Sequence, residues 1–113
     1  MKLHIAESVM NQLNEGQVDP MSERYFGSHW LGRDSTYMGY IKSADTDISA
    51  EALMNLYGKI IKQRVQTEQD IVLNRDNEMV EPLRKRADFY HRVECYLGSA
   101  IYDEAAAIQG VEF

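Results

Sequence analysis

Length, composition and charge limit what this chain can be. Its 113 residues are 44% hydrophobic, which predicts one ordered domain over residues 1–113. The formal net charge of −6 opposes binding that depends on bulk electrostatic attraction to nucleic acid or anionic membranes. The single cysteine, Cys95, excludes an intrachain disulfide. Because the N-terminus is polar and no apolar run approaches the roughly 20 residues of a membrane span, we expect a soluble cytoplasmic protein.

The charge is distributed unevenly along the chain. Residues 1–17 carry a net charge of −1. Residues 18–64 carry six basic and six acidic side chains, and residues 65–113 carry five basic and ten acidic ones. The acidity therefore belongs mainly to the C-terminal half, and the neutral central segment remains compatible with contact to a polyanion.

Apolar residues spaced three or four apart predict three short helices in the first part of the chain. The first covers residues 3–14. The second is capped by Ser22 and ends at Gly32, since glycine suits the position just past a helix. The third follows a cap at Asp34 or Ser35.

Two longer helices are predicted in the remainder of the chain. Ser49 caps the fourth, which continues to about residue 73, and the fifth runs over residues 79–108 with Pro82 in its first turn. We therefore predict an all-α fold of about five helices. A helix-turn-helix-like unit (residues 1–73) precedes a long C-terminal helix. The side chains expected to be largely buried are Trp30, Ile41, Leu53, Leu56 and Ile60.

Residues 21–61 have the spacing of a helix-turn-helix followed by its support helix. The matching positions are Gly32, Met38 six residues later, Ile41 nine residues later, the pair Ile48-Ser49, Leu53 and Leu56. This pattern resembles the lambda-repressor-like (Xre-type) family, in which a turn glycine, two apolar anchors, a cap and paired leucines recur in this order. The resemblance implies a DNA-binding fold in which the third helix is the recognition helix.

The resemblance also implies which residues contact DNA. Those expected to face the major groove are Ser35, Thr36, Gly39 and Tyr40, and those expected to contact phosphates are Arg33 and Lys42. The alternative interpretation is that Arg33 and Lys42 are solvated charges. The chain departs from the family pattern at Arg33, where the family often has valine, and it offers few Arg, Gln or Asn side chains for base edges.

The segment W-L-G-R-D-S-T-Y at residues 30–37 is also similar to W-L-G-R-S-x-x-Y-like segments of small bacterial proteins. That second resemblance implies no activity.

Other patterns in the chain give weaker signals. His91 and Cys95 lie four apart and would share a helix face, but a metal site needs more ligands and a catalytic pair needs an activating partner. Arg84, Lys85 and Arg86 form a short basic run that is typical of a solvated helix face. Since phosphate-binding and nucleophile motifs are absent, we expect no enzyme, no cofactor and no metal.

We therefore expect a small DNA-binding transcriptional regulator. The alternative is a protein-interaction module with the same helical unit and no affinity for DNA. The two differ in a measurable way, because DNA binding weakens steeply as salt rises.

A homodimer is also expected from the apolar stripe of the last helix. Its members are Leu83, Ala87, Tyr90, Val93, Leu97 and Ile101. The helix should be about 45 Å long at 1.5 Å per residue, longer than a compact unit can cover. An uncovered apolar stripe favours two-fold pairing, which would also suit a palindromic DNA site.

Overall fold

The computed structural model of the chain describes residues 2–15 and 17–110. Within this part the chain forms five α-helices and no strand, which confirms the all-α prediction. The helices are α1 (Lys2–Asn14), α2 (Glu23–His29), α3 (Tyr37–Ser43), α4 (Ala50–Leu73) and α5 (Val80–Ile108). None of them is long and apolar enough to cross a membrane.

The chain forms two compact units. The N-terminal unit is Met1–Leu56 and the C-terminal unit is Tyr57–Phe113. α4 therefore supplies its first residues to one unit and the remainder to the other. The predicted helix-turn-helix region, α2 and α3, lies wholly in the N-terminal unit.

Apolar side chains at helical spacing are buried throughout the N-terminal unit. They are Ile5, Ala6, Val9, Leu13, Phe26, Leu31, Met38, Ile41, Ile48, Ala52, Leu53 and Leu56. The burial predicted for Ile41, Leu53 and Leu56 is thus confirmed, as it is for Ile60 in the C-terminal unit. Each such side chain contributes roughly 25 cal/mol per Å² of apolar area removed from water.

Trp30 is less completely buried than the other four residues of that prediction. Its side chain is only half-buried, whereas the next residue, Leu31, is fully buried. α2 ends at His29, so Trp30 is the residue that closes the helix and no longer follows the helical stripe. The chain turns at Trp30, and Leu31 is the residue whose side chain packs into the core.

The turn after α2 requires a glycine for two reasons. Gly32 has a φ of +66°, a conformation that side-chain-bearing residues rarely adopt. A Cβ at this position would also lie 2.8 Å from the side-chain nitrogen of Asn55 on α4. Asn55 approaches this closely because its amide donates a hydrogen bond of 3.0 Å to the carbonyl of Leu31. The turn between α2 and α3 is therefore tied directly to α4.

Serine side chains cap the N-termini of α2 and α4, as predicted. The hydroxyl oxygen of Ser22 accepts a hydrogen bond from the N–H of Tyr25 at 3.1 Å, and that of Ser49 accepts one from Ala52 at 3.1 Å. These caps satisfy N–H groups that have no partner within the helix.

α3 begins later than predicted, by two residues for a cap at Asp34 and by one for a cap at Ser35. The carboxylate of Asp34 accepts a hydrogen bond from the N–H of Thr36 at 2.7 Å and another from the Thr36 hydroxyl. These bonds fold Ser35 and Thr36 into a turn, and the helix starts only at Tyr37. Two of the residues expected on the recognition helix therefore precede it.

The C-terminal unit is an antiparallel pair formed by the second part of α4 and by α5. Arg64 on α4 bonds Glu94 on α5, and Tyr57, about two turns earlier, lies beside Gly98. A Cβ at Gly98 would lie 3.0 Å from the hydroxyl oxygen of Tyr57. The missing side chain thus permits this close approach.

The apolar stripe of α5 is largely covered within the chain. Leu83, Val93 and Leu97 are buried, and Ala87, Tyr90 and Ile101 are half-buried. The stripe is consequently not the open apolar face on which the expected dimer depends. The oligomeric state itself stays a prediction.

Candidate functional site

The exposed side of α3 and the turn before it form the candidate site. Thr36, Gly39 and Tyr40 are exposed, and Ser35 is half-buried. Together with Glu23 and Arg24 of α2, these four residues line a shallow groove of about 450 Å³. The structure therefore brings together the four residues predicted to face the major groove of DNA.

Met38 and Ile41 explain why this side of α3 is open. Both are buried, at 1% and 2% exposure, so they fix the opposite side of the helix in the interior of the unit. Residues on the other side, including Tyr40 at 66% exposure, are left facing solvent.

Arg33, one of the two predicted phosphate contacts, is held by its own unit. Its terminal nitrogen donates to the hydroxyl of Ser49 at 2.9 Å and to a carboxylate oxygen of Glu51 at 3.3 Å. The guanidinium also lies over the ring of Tyr37, with its carbon 5.7 Å from the ring centroid. Its Nε atom is buried. Arg33 therefore joins the turn to the start of α4.

Lys42, the other predicted phosphate contact, lies between two carboxylates. Its ammonium bonds Glu23 of α2 and lies 3.5 Å from a carboxylate oxygen of Glu7 of α1. The bond to Glu23, and the charge of Glu7, raise the pKa of Lys42 above its ordinary value of 10.5 although partial burial opposes this. Lys42 of α3 thus contacts carboxylates of both α1 and α2.

The remaining cations of the unit are also engaged. Arg24 donates to the hydroxyl of Ser35 at 3.3 Å. Lys2 lies 3.6 Å from a carboxylate oxygen of Asp47.

The hydroxyl and N–H of Thr36, with a smaller effect from Arg24, hold the pKa of Asp34 below its ordinary value of 3.8. Asp34 therefore carries its charge at neutral pH.

The charge of the N-terminal unit is negative. Residues 1–56 contain four Lys and Arg side chains and eight Asp and Glu side chains, a formal net charge of −4. The neutral balance of residues 18–64 combines parts of both units, so it does not describe the unit that contains α3.

Gly39 has no structural role that the fold explains. It lies inside α3 without a positive φ, and a Cβ there would meet no atom within 4 Å. A glycine inside a helix costs about 0.5–1 kcal/mol relative to alanine. The fold alone therefore gives no reason for this residue.

His91 and Cys95 do share an exposed face of α5. The sulfur of Cys95 lies 3.7 Å from Nε2 of His91. The neighbouring carboxylate of Glu94 is bonded to Arg64 at 3.0 and 3.1 Å. Among the described residues, no three His, Cys, Asp or Glu side chains form a group that could hold a metal ion.

Comparison with known proteins places the chain in a family. A family model described as a family of unknown function (DUF6626) matches residues 6–107. The chain belongs to this family. No curated protein and no solved structure matches the chain. The matched region begins in α1 and ends in α5.

The sequence analysis missed the acidic partners of the site. Glu7 and Glu23 bind Lys42 from 35 and 19 residues away, and Glu51 binds Arg33 from 18 residues away. These separations have no helical spacing, so nothing in the linear pattern indicates the pairs. Arg24 and Glu23 also line the groove, and only the packing of α2 on α3 places them there.

Proposed function

We propose that this protein is a protein-interaction module that binds a protein partner through the exposed side of α3 and its groove. One observation carries the proposal: both cations predicted to contact phosphate are already paired with carboxylates of the same unit. A nucleic-acid backbone would have to replace Glu51 at Arg33 and two carboxylates at Lys42. It would also approach a unit with a net charge of −4.

The exposed surface has the chemistry of a protein interface. Tyr40 presents a ring that is 66% exposed. Tyrosine is enriched at protein interfaces because it supplies large contact area and a hydroxyl while losing little conformational entropy. Thr36 and Ser35 add hydroxyl groups beside it without adding charge.

DNA binding is the second candidate function. Thr36, Gly39 and Tyr40 are exposed on one side of the helix-turn-helix region, as a recognition surface requires. Under this hypothesis Arg33 and Lys42 exchange their carboxylate partners for phosphates on binding.

Paired tyrosine variants test the proposed function. Tyr40→Ala removes the exposed ring of α3, and Tyr102→Ala removes one of almost equal exposure, 65%, from α5. A protein that co-purifies from cells with the wild type and with Tyr102→Ala should be lost with Tyr40→Ala. Equal retention by both variants would contradict the proposed surface.

An electrophoretic mobility shift assay with DNA at low salt distinguishes the two candidate functions, protein interaction and DNA binding. We expect no retarded complex with the wild type. The double variant Glu7→Gln, Glu23→Gln releases Lys42 from its carboxylates and should show weak, salt-sensitive binding if pairing is what suppresses contact with phosphate. A wild-type complex that dissociates as salt rises would instead support the DNA-binding candidate.

A further inference from the structure

The exposed pair His91 and Cys95 on α5 has the chemistry of half a zinc site. We propose that a second copy of the chain completes this site, so that two histidines and two cysteines hold one zinc ion on a two-fold axis. The inference concerns the solvent-facing side of α5 and is independent of the function proposed for α3.

The separation of the two ligand atoms suits zinc. Sγ of Cys95 lies 3.7 Å from Nε2 of His91. A tetrahedral zinc ion about 2.3 Å from a sulfur and about 2.0–2.1 Å from a nitrogen requires about 3.6 Å between those two atoms. Without metal, the same separation allows a weak hydrogen bond from the thiol to the ring. The pair therefore needs little rearrangement to bind the ion, which replaces the thiol proton.

The other ring nitrogen of His91 lies near a carboxylate. Nδ1 is 3.9 Å from Oε2 of Glu94, and Arg64 fixes that carboxylate through bonds of 3.0 and 3.1 Å. Histidines that bind metals commonly direct their second ring N–H toward such a group, which orients the ring. The negative charge favours a proton on Nδ1 and leaves Nε2 as the ligand atom.

One chain supplies two of the four ligands that a structural zinc site needs, since the described residues contain no larger group of possible ligands. Both side chains are accessible, because Cys95 is exposed and the side chain of His91 is 64% exposed. A two-fold contact places one surface against itself, so it brings the same two ligands of a second copy to the same ion.

Residue spacing on this side of α5 favours an antiparallel second copy. Arg84 and His91 are seven apart, as are Cys95 and Tyr102, and this is the repeat of paired helices. In an antiparallel pair centred at the level of Val93, His91 lies opposite Cys95 of the second copy. Arg84 then lies opposite Tyr102 of the second copy, whose ring is 65% exposed and suits a cation–π contact.

The charges of α5 favour the same direction. Residues 80–93 contain four basic and two acidic side chains, whereas residues 94–108 contain three acidic and no basic ones. The pair of Arg84 with Glu81 falls within the first count, and Arg64 neutralises Glu94 in the second. The two halves then carry formal charges of about +2 and −2. Antiparallel copies place each cationic half opposite an acidic half.

Analytical ultracentrifugation of the full-length protein, in a chelator or with zinc chloride, tests the inference. A phosphine reductant is present throughout, so that a disulfide through Cys95 cannot join two chains. The mass should be that of one chain in the chelator and should double with zinc, at one ion per two chains. We expect this dependence on zinc because the paired surfaces are mainly polar.

Exposed ligand variants make the test specific. Cys95→Ser and His91→Ala should each abolish the zinc-dependent doubling, whereas His4→Ala, at an exposed histidine of α1, should retain it. Circular dichroism checks that each variant is folded. Cobalt in place of zinc should give a thiolate-to-metal absorption band with the wild type that is lost in Cys95→Ser.

Four results would overturn the inference. They are failure to retain zinc, one zinc ion per chain without a change in mass, a dimer that persists in the chelator, and a zinc-dependent dimer that survives Cys95→Ser. None of these results bears on the Tyr40→Ala test, which decides the proposed function of α3 independently.

Discussion

The two units use charged side chains in different ways. In the N-terminal unit, Lys42 connects three helices through Glu7 and Glu23. In the C-terminal unit, Arg64 makes one pair across to α5, with Glu94, and one along its own helix, with Glu68. An ion pair between residues four apart on one helix, such as Arg64 with Glu68, can be predicted from their spacing. The pairs of Lys42 at the candidate site join residues far apart in the chain, so their spacing gives no such signal.

The units also differ in how they bury apolar residues. Buried residues of the N-terminal unit come from α1 to α4 and from the loops between them. Among the described residues of the C-terminal unit, the buried apolar side chains are Ile60, Leu83, Val93 and Leu97. Each of these four should therefore matter greatly to the stability of its unit.

Leu97→Asp is expected to cause the largest loss in the free energy of unfolding. Leu97 is fully buried, and truncating such a leucine to alanine already costs about 2–5 kcal/mol. Burying an unpaired carboxylate adds to that cost. Val72→Asp, at a site 63% exposed on α4, should leave the free energy of unfolding within about 0.5 kcal/mol. Urea unfolding checks both, and similar losses would break the contrast between buried and exposed positions.

Neutralising Glu94 is expected to cause a smaller loss of stability than Leu97→Asp. Glu94→Gln weakens the pair with Arg64 across the two helices, where both side chains are mostly buried. Glu68→Gln removes only the contact within α4, where the carboxylate is half-exposed. The urea midpoint should fall clearly for Glu94→Gln and little for Glu68→Gln. The reverse order would show that the local pair is the stronger one.

Asp47→Ala should cost about 1 kcal/mol, since it removes the cap of α1. Asp47 accepts N–H bonds from Leu3 at 2.6 Å and Lys2 at 3.0 Å. Burial raises the pKa of Asp47, but the N–H groups outweigh it and leave the pKa below 3.8. The stabilisation is thus complete above pH 3.8 and lost as pH falls through the lower folded value. Thermal unfolding against pH, with exposed Asp19→Ala as control, measures this.

The smallest effect is expected from Lys42→Met. Its side chain is 38% exposed, so the ion pairs should contribute only about 0.2–1 kcal/mol. Because the folded pKa of Lys42 lies above 10.5, this stabilisation is complete below that pH and is lost as pH rises through the folded value. Thermal melts at neutral and alkaline pH, with exposed Lys62→Met as control, would detect it. A large loss at neutral pH would contradict the expected ranking of these pairs.

Part of the candidate site could be predicted from sequence. Met38 and Ile41 have the spacing of buried anchors, and that spacing places Gly39 and Tyr40 on the open side. The predicted start of α3 is too early, because Asp34 and Thr36 form a turn before the helix begins at Tyr37. A carboxylate followed by a hydroxyl residue is compatible both with a helix cap and with such a turn, so the sequence pattern does not separate the two.

Apolar spacing in the sequence is enough to predict the all-α fold, the approximate bounds of the long helices and the solvent-facing positions Gly39 and Tyr40 of α3. Periodicity carries this information because a helix repeats every 3.6 residues. The pairing of Arg33 and Lys42 with carboxylates, and the burial of the α5 stripe, become visible only in the packed structure. Both depend on which distant residues meet, and contacts between residues far apart in the chain leave no periodic signal.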